Sequence, residues 1–173
     1  MNLHIFEPRY KQLITECFEA KKPFGIPAVI QQKIAEMGTL VEITEIVKTY
    51  DNGEMDIQTK ATRIFRILEM IPVIPEKGYS GAIVNYPEND FTGNRDLMIK
   101  VVDTIRELHK MLNVNKTFQA KGKDLQSYDV AHHAGMSIDE EYELLGLMKE
   151  LQRQEYLRRH LQKVLPVVAE MEA

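Results

Sequence analysis

The residues able to do chemistry are few, and each has a structural explanation close at hand. His132-His133, with Asp129 three residues before His132, is the nearest approach to a metal-ligand set. Adjacent positions on a helix point about 100° apart, so only one of the two imidazoles is expected on the Asp129 face. No H-E-x-x-H follows, and the expectation is a partly exposed helix end with no metal. Asp139-Glu140-Glu141 looks like a carboxylate pair for acid-base work, but Ser137-Ile138-Asp139-Glu140 is a capping box. The serine hydroxyl takes an orphan amide, Glu140 reaches back, and the acids favour the positive end of the helix dipole. Ser80, Ser127 and Ser137 are the only serines. Ser137 is a cap, Ser127 is expected to open a short helix in the same way, and Ser80 has no partner assignable from spacing. No Ser-Lys dyad, no G-x-S-x-G elbow and no G-x-x-x-x-G-K-[ST] cradle is present, so neither a hydrolase nor an ATPase is expected. No catalytic, cofactor or metal residue is assigned. Arg153, Arg158, Arg159 and Lys163 would make a basic stripe, diluted by Glu150 and Glu155, and read as a solvated helix face.

Composition narrows the classes further. The 173 residues are 44% hydrophobic and 28% charged, with a formal net charge of −4. That suits a folded domain and disfavours nucleic acid, which asks for a basic face. Cys17 is the single cysteine, too few for an internal disulfide or a thiolate zinc cluster. No signal peptide precedes Leu3, and no run of about 18 apolar residues occurs. A cytoplasmic address is expected.

The elements that would carry these residues fall in two halves. Pro8 suits the first turn of a helix, with Tyr10, Leu13, Ile14, Cys17 and Phe18 at three- and four-residue spacing. Phe24 to Ile30 reads as a strand with a bulge or near an edge, because Gly25 and Pro27 interrupt it. Thr39 to Tyr50 and Met55 to Ile71 are β-patterned around the tight turn Asp51-Asn52-Gly53. The density of Ile64, Phe65, Ile67 and Leu68 is too great for a two-sided strand and predicts either cover on both faces there or a strand that bends across two sheets. Tyr79 to Tyr86 is one more strand. After the polar stretch Glu88 to Arg95 the pattern is helical. Asp96 to Leu112 and Ser127 to Ala134 come first, and a capped helix from Ser137 through Leu151 then leads into Arg153 to Leu165. Pro166 is expected to kink or end it. The reading is α+β, with a β-rich domain over 1–90 and a helical domain over 91–173.

Leu3-His4-Ile5-Phe6-Glu7-Pro8-Arg9-Tyr10 closely resembles the LHIFEPRY signature of the N-terminal domain of Lon protease. Further along, Phe24-Gly25-Ile26, Met37-Gly38-Thr39, Asp51-Asn52-Gly53 and Arg63-Ile64-Phe65-Arg66-Ile67 are similar to successive elements of that family. The last of these has Ala61-Thr62 where glycine is usual. The resemblance implies a PUA-like β pseudobarrel followed by a C-terminal α-helical bundle. It also implies a non-catalytic module that binds unfolded or extended polypeptide, used as an adaptor in protein quality control and without the ATPase and protease domains. His4, Phe6, Glu7, Pro8, Arg9, Tyr10, Arg63, Phe65 and Arg66 mark the fold signature and the binding region, and Phe6, Tyr10, Leu13 and Ile14 are expected in the core.

Family members carry a further strand ahead of the LHIFEPRY string, and this sequence begins at Met1, just where that strand should end; a start assigned too late, a cut sequence and a fold without the strand are the alternatives. The expectation is an exposed strand edge, open to a homodimer or to an added peptide strand. An RNA-binding PUA-like module and a small hydrolase around His132-His133 are the alternatives.

Overall fold

The computed structural model describes residues 1–114 and 125–171, which hold five strands and five α-helices. The chain divides into two compact units, Met1–Pro87 and Glu88–Ala173.

The first unit is an antiparallel sheet with one helix: β1 (Asn2–Ile5), α1 (Pro8–Ala20), β2 (Phe24–Ile30), β3 (Lys33–Thr49), β4 (Met55–Ile71) and β5 (Gly81–Asn85). Strand order is β1-β4-β3-β2, with β5 also on β4. Register places β5 on the β1 side. Arg66 has Met37 of β3 on one flank and Asn85 of β5 on the other, just as Met55 has Thr49 and Ile5. The second edge of β4 is therefore shared, by β1 over Met55–Gln58 and by β5 over Arg66–Ile71. The pairing of β1 is prolonged at Met1, whose ammonium donates to Thr59 O at 2.7 Å while Thr59 N donates back to Met1 O at 2.8 Å. Between Thr59 and Arg66, among the described residues, no strand covers that edge.

The turns follow from local chemistry. Gly53 takes a φ of 76° in the β3–β4 turn, where Gly53 N donates to Tyr50 O at 2.8 Å, as Asp51-Asn52-Gly53 foretold. The β2–β3 turn was not foreseen, because its corner residues, Gln31 (φ 48°) and Gln32 (φ 64°), are not turn formers. Strand β3 consequently begins at Lys33, ahead of the expected Thr39. The Pro27/Val29 register shift is the bulge expected in β2.

The core of this unit comprises Ile5, Ile14, Phe24, Val41, Met55 and Ile57, with Leu13 and Cys17 packed against it. Phe65 fills a separate position that two glycines make possible. A side chain built at Gly38 would reach 2.6 Å from Ile26 O and 2.7 Å from Pro27 Cα, and its first carbon would enter the Phe65 ring. Gly25 sits against the same ring. Ile64 and Phe65 are both buried. They are regularly paired neighbours, Ile64 with Thr39 and Phe65 with Gly38, so they point to opposite faces, both covered there; at Leu68, 60% exposed, the expected cover fails. Upstream, Ala61 pairs Val41 while Arg63 pairs Leu40, so Thr62 is the extra residue of a bulge. Its hydroxyl donates to Leu40 O at 3.1 Å.

The second unit holds α2 (Arg95–Met111), α3 (Ser127–Val130) with a 3-10 turn (Ala131–His133), α4 (Ile138–Leu145) and α5 (Glu150–Met171). Met98, Val101, Val102, Ile105 and Leu108 of α2 pack with Val130, Leu144, Leu157 and Leu161. Helices α4 and α5 are separated at Gly146 to Lys149 and do not run on through Leu151 as expected; Asp90 bridges to Lys149 there, with Glu150 N donating to Asp90 O at 2.8 Å. Pro166 lies inside α5, which continues to Met171.

Two expectations fail at one buried cluster. Gln126, not Ser127, caps α3, through a box with Asp129. Ser127 is buried instead: its N and Oγ both donate to the Glu150 carboxylate at 2.7 Å, and its Oγ accepts from Arg153 Nε at 2.9 Å. Arg153 is fully buried, not part of a solvated stripe. It pairs with Glu150 Oε2 at 2.9 Å, donates to Asn89 Oδ1 and Leu147 O, and lies 4.3 Å from the Tyr128 ring centroid. A buried cation is tolerated because its donors are satisfied by converging acceptors.

Two unfolding measurements check these placements. Gly38→Ala should lower the stability of the first unit by about 3 kcal/mol, because backbone atoms must move; a wild-type urea midpoint would contradict the contact. Glu150→Ala should cost about 3–5 kcal/mol, because it strands the buried Arg153 cation; a loss near zero would place Arg153 in solvent.

Candidate functional site

The Leu3 to Tyr10 string folds into β1, a two-residue corner and the first turn of α1. Pro8 stands at the helix start, where its missing N–H costs nothing. Ile5 and Ile14 turn inward, but Phe6 is 59% exposed and Tyr10 39% exposed, so the expectation that both are core is wrong. Phe6 lies at the corner after β1 ends, outside the strand alternation that buries Ile5.

What Phe6 meets instead is His4. The two rings stack at 6.2 Å and 21°, and the Tyr50 ring stands edge-on to His4 at 5.8 Å. His4 Nδ1 lies 2.7 Å from Asp56 Oδ1, and Nε2 lies 3.4 Å from Glu54 Oε2. The Tyr50 hydroxyl donates to the other Asp56 oxygen at 2.7 Å, and Lys48 Nζ sits 4.3 Å over the Tyr50 ring. Both ring nitrogens of His4 thus face carboxylates, an arrangement the imidazolium satisfies with two donors. The hydrogen bond to Asp56 raises the His4 pKa above its ordinary 6.5. Hydrogen bonds from Tyr50 and then His4 hold Asp56 below the usual carboxylate range. The cluster presents the exposed Phe6 ring and a half-exposed imidazole engaged by two carboxylates at the surface.

The other signature residues divide by role. Arg9 pairs with Glu7 at 2.7 Å and stacks 4.7 Å over Tyr10. Phe65 is core. Arg63 and Arg66 are exposed on β4, with Arg63 4.5 Å over the Tyr86 ring. Among the described residues no hydrogen bond or ring contact joins Arg63 and Arg66 to the His4 group. The sequence reading missed Tyr50, Glu54 and Asp56, which lie about fifty residues from His4. The hairpin turn could have placed Tyr50 opposite Asp56, but only the β1–β4 register brings His4 there.

The residues suspected of other chemistry are in structural use. Asp129 closes the α3 capping box, and Ser137 and Glu140 close that of α4, with Ser137 N donating to Glu140 Oε2 at 2.9 Å. The His132 and His133 rings lie 3.9 Å apart, closer than helical spacing would allow, because the chain has left the α-helix there. His109 joins them through His133 O at 3.1 Å. Among the described residues no group of three or more His, Cys, Asp or Glu is arranged to hold a metal. No helix among them is long and apolar enough to cross a membrane.

The architecture is an antiparallel sheet with one helix, followed by a mostly helical second unit. The profile of the ATP-dependent protease La (LON) substrate-binding domain matches residues 1–163, and the chain belongs to that family. Its fold is that of Lon N-terminal domains. A Lon N-terminal domain protein from Xanthomonas campestris superposes with a TM-score of 0.66 at 21% identity, over 92% of this chain and 88% of that one. The N-terminal domain of Mycobacterium avium complex Lon protease gives 0.63 at 10% identity, over 94% and 90%.

The His4 cluster has a pH signature. Because its folded pKa is raised, the stability His4 adds is fully present below 6.5 and is lost as pH rises through the shifted value. Asp56, held low, acts oppositely: its contribution is lost as pH falls through its depressed pKa. NMR titration should place the His4 midpoint above 6.5 and move it back in Asp56→Asn. A midpoint unchanged by that substitution would remove the pair.

Proposed function

We propose that this chain is a non-catalytic module that holds unfolded or extended polypeptide, serving as an adaptor in protein quality control in the cytoplasm. The observation that carries it is the match of a substrate-binding family over residues 1–163. On this reading the sheet of the first unit is a PUA-like pseudobarrel, and the helices after Pro87 form the bundle that completes the domain. Exposed Phe6 and Tyr10 offer apolar contact beside His4, and Arg63 and Arg66 add charge along β4.

This reading predicts binding that does not depend on nucleotide. A denatured, fluorescently labelled model protein should bind saturably at micromolar concentration, equally with and without ATP, and native protein should not compete. Phe6→Ser should weaken that binding several-fold at unchanged thermal midpoint, since the ring is exposed. Failure of denatured protein to bind at these concentrations removes the reading.

A further inference from the structure

In the helical unit a groove of about 410 Å³ opens where α5 begins, lined by Leu147, Leu151, Gln152, Glu155, Tyr156 and Arg159. Its apolar floor is fixed from below. Leu147 and Tyr156 pack against the core of that unit, the Leu147 carbonyl accepts from buried Arg153 at 2.6 Å, and the Tyr156 hydroxyl donates to Glu143 Oε2 at 2.8 Å. Leu151 is 51% exposed and has its side chain free to receive a partner. A preformed apolar floor with a few polar groups at its rim is the construction of a small-ligand site, and this volume lies near the lower end of their range. It holds the end of a chain and not a long strand.

Charge at one end of the groove selects the occupant. The Glu155 carboxylate accepts from Arg158 Nε and Nη2 at 2.8 and 2.7 Å, and from Arg159 Nε at 2.9 Å. Those bonds, the Arg158 ones foremost, hold its carboxyl down at about 2, so one anion stands between two cations and the trio is net positive. Arg159 is 69% exposed and, among the described residues, reaches Glu155 through Nε alone. Its two terminal nitrogens present a fork that fits a carboxylate. Glu155 lies one helical turn beyond Leu151, roughly 5.4 Å along the axis. That step is comparable with the reach from the methyls of a terminal leucine to its own α-carboxylate. An acidic side chain within a chain would bring backbone on both sides, which a groove this short does not accommodate.

We propose that this groove takes the free C-terminus of a polypeptide ending in a large aliphatic residue, with the side chain on Leu147, Leu151 and Tyr156 and the α-carboxylate on the Arg159 guanidinium. This rests on the polypeptide-binding reading above and names the part of the chain that is grasped. The apolar floor supplies contact area, and the charge-assisted pairing with Arg159 supplies the preference for a chain end. Unfolding exposes such a terminal residue whatever its packing in the native state.

The test uses the full chain and three hexapeptides of Gly and Ser labelled with fluorescein at the N-terminus. One ends in Ala-Leu with a free carboxylate, one ends identically with a carboxamide, and one carries Leu-Glu internally with an amidated end. The free acid should bind about tenfold more tightly than the other two. It should shift backbone NMR signals within 147–159, and Leu151→Ser should weaken it several-fold. Arg159→Gln should abolish the preference at an unchanged unfolding midpoint, because Arg158 still holds Glu155. Equal binding of acid and amide, signals shifted only on another surface, or wild-type preference in Arg159→Gln would each overturn the proposal. A denatured model protein ending in leucine, bound equally by wild type and Arg159→Gln, would also overturn it while leaving the polypeptide-binding reading intact. If wild type binds no denatured protein, both fall.

Discussion

Backbone pairing along β4 is the constraint on which the first unit depends. The strand runs from Met55 to Ile71, is paired by β3 through Arg66, and divides its other edge between two short partners from opposite ends of the unit. A peptide group left unpaired away from water costs free energy comparable to a lost hydrogen bond. Each neighbour of β4 therefore contributes more through what it covers than through its own length. β1 is only four residues, yet it ties the LHIFEPRY corner to the sheet, and with it the ring of Phe6 and the imidazole of His4.

The bulge at Thr62 and the glycines under Phe65 belong to the same constraint. A strand this long cannot stay flat, since sheets twist, and the bulge at Thr62 marks where β4 bends before Ile64 and Phe65 are buried on its two opposite faces. The Phe65 ring then needs a place to lie, which β2 and β3 provide by having no side chain at Gly25 and Gly38. In the second unit a charged cluster has a comparable role. Asn89, Ser127 and the α5 pair Glu150 and Arg153 come from three separate segments, and their hydrogen bonds are directional where apolar packing is not.

Local signals in the sequence were sound where the determining physics is local. Asp51-Asn52-Gly53 makes its turn, Ser137 and Glu140 make their box, and Met55–Ile71 is a strand over the range its alternation marks. Errors arose where tertiary partners decide. Ser127 has the composition of a cap, but Glu150 and Arg153, more than twenty residues away, take its hydroxyl. Arg153 resembles any surface arginine until its acceptors are known. Phe6 is expected in the core, yet the corner after β1 turns it outward onto His4. The candidate site was legible as a string and not as a surface: Tyr50, Glu54 and Asp56 complete it through register alone.

The turn between β2 and β3 holds both Gln31 and Gln32 in the left-handed region, where glutamine has no special tolerance. Each such residue costs roughly 1 kcal/mol relative to a comfortable backbone. Beside it, Val29 and Ile34 face each other across the hairpin, both exposed. The hairpin tip thus retains unused stability, which an Asn-Gly pair at the corner could recover without disturbing any buried residue. For protein engineering this tip is the natural point of entry, and a sturdier chain can be sought there without altering the Phe6 and His4 surface.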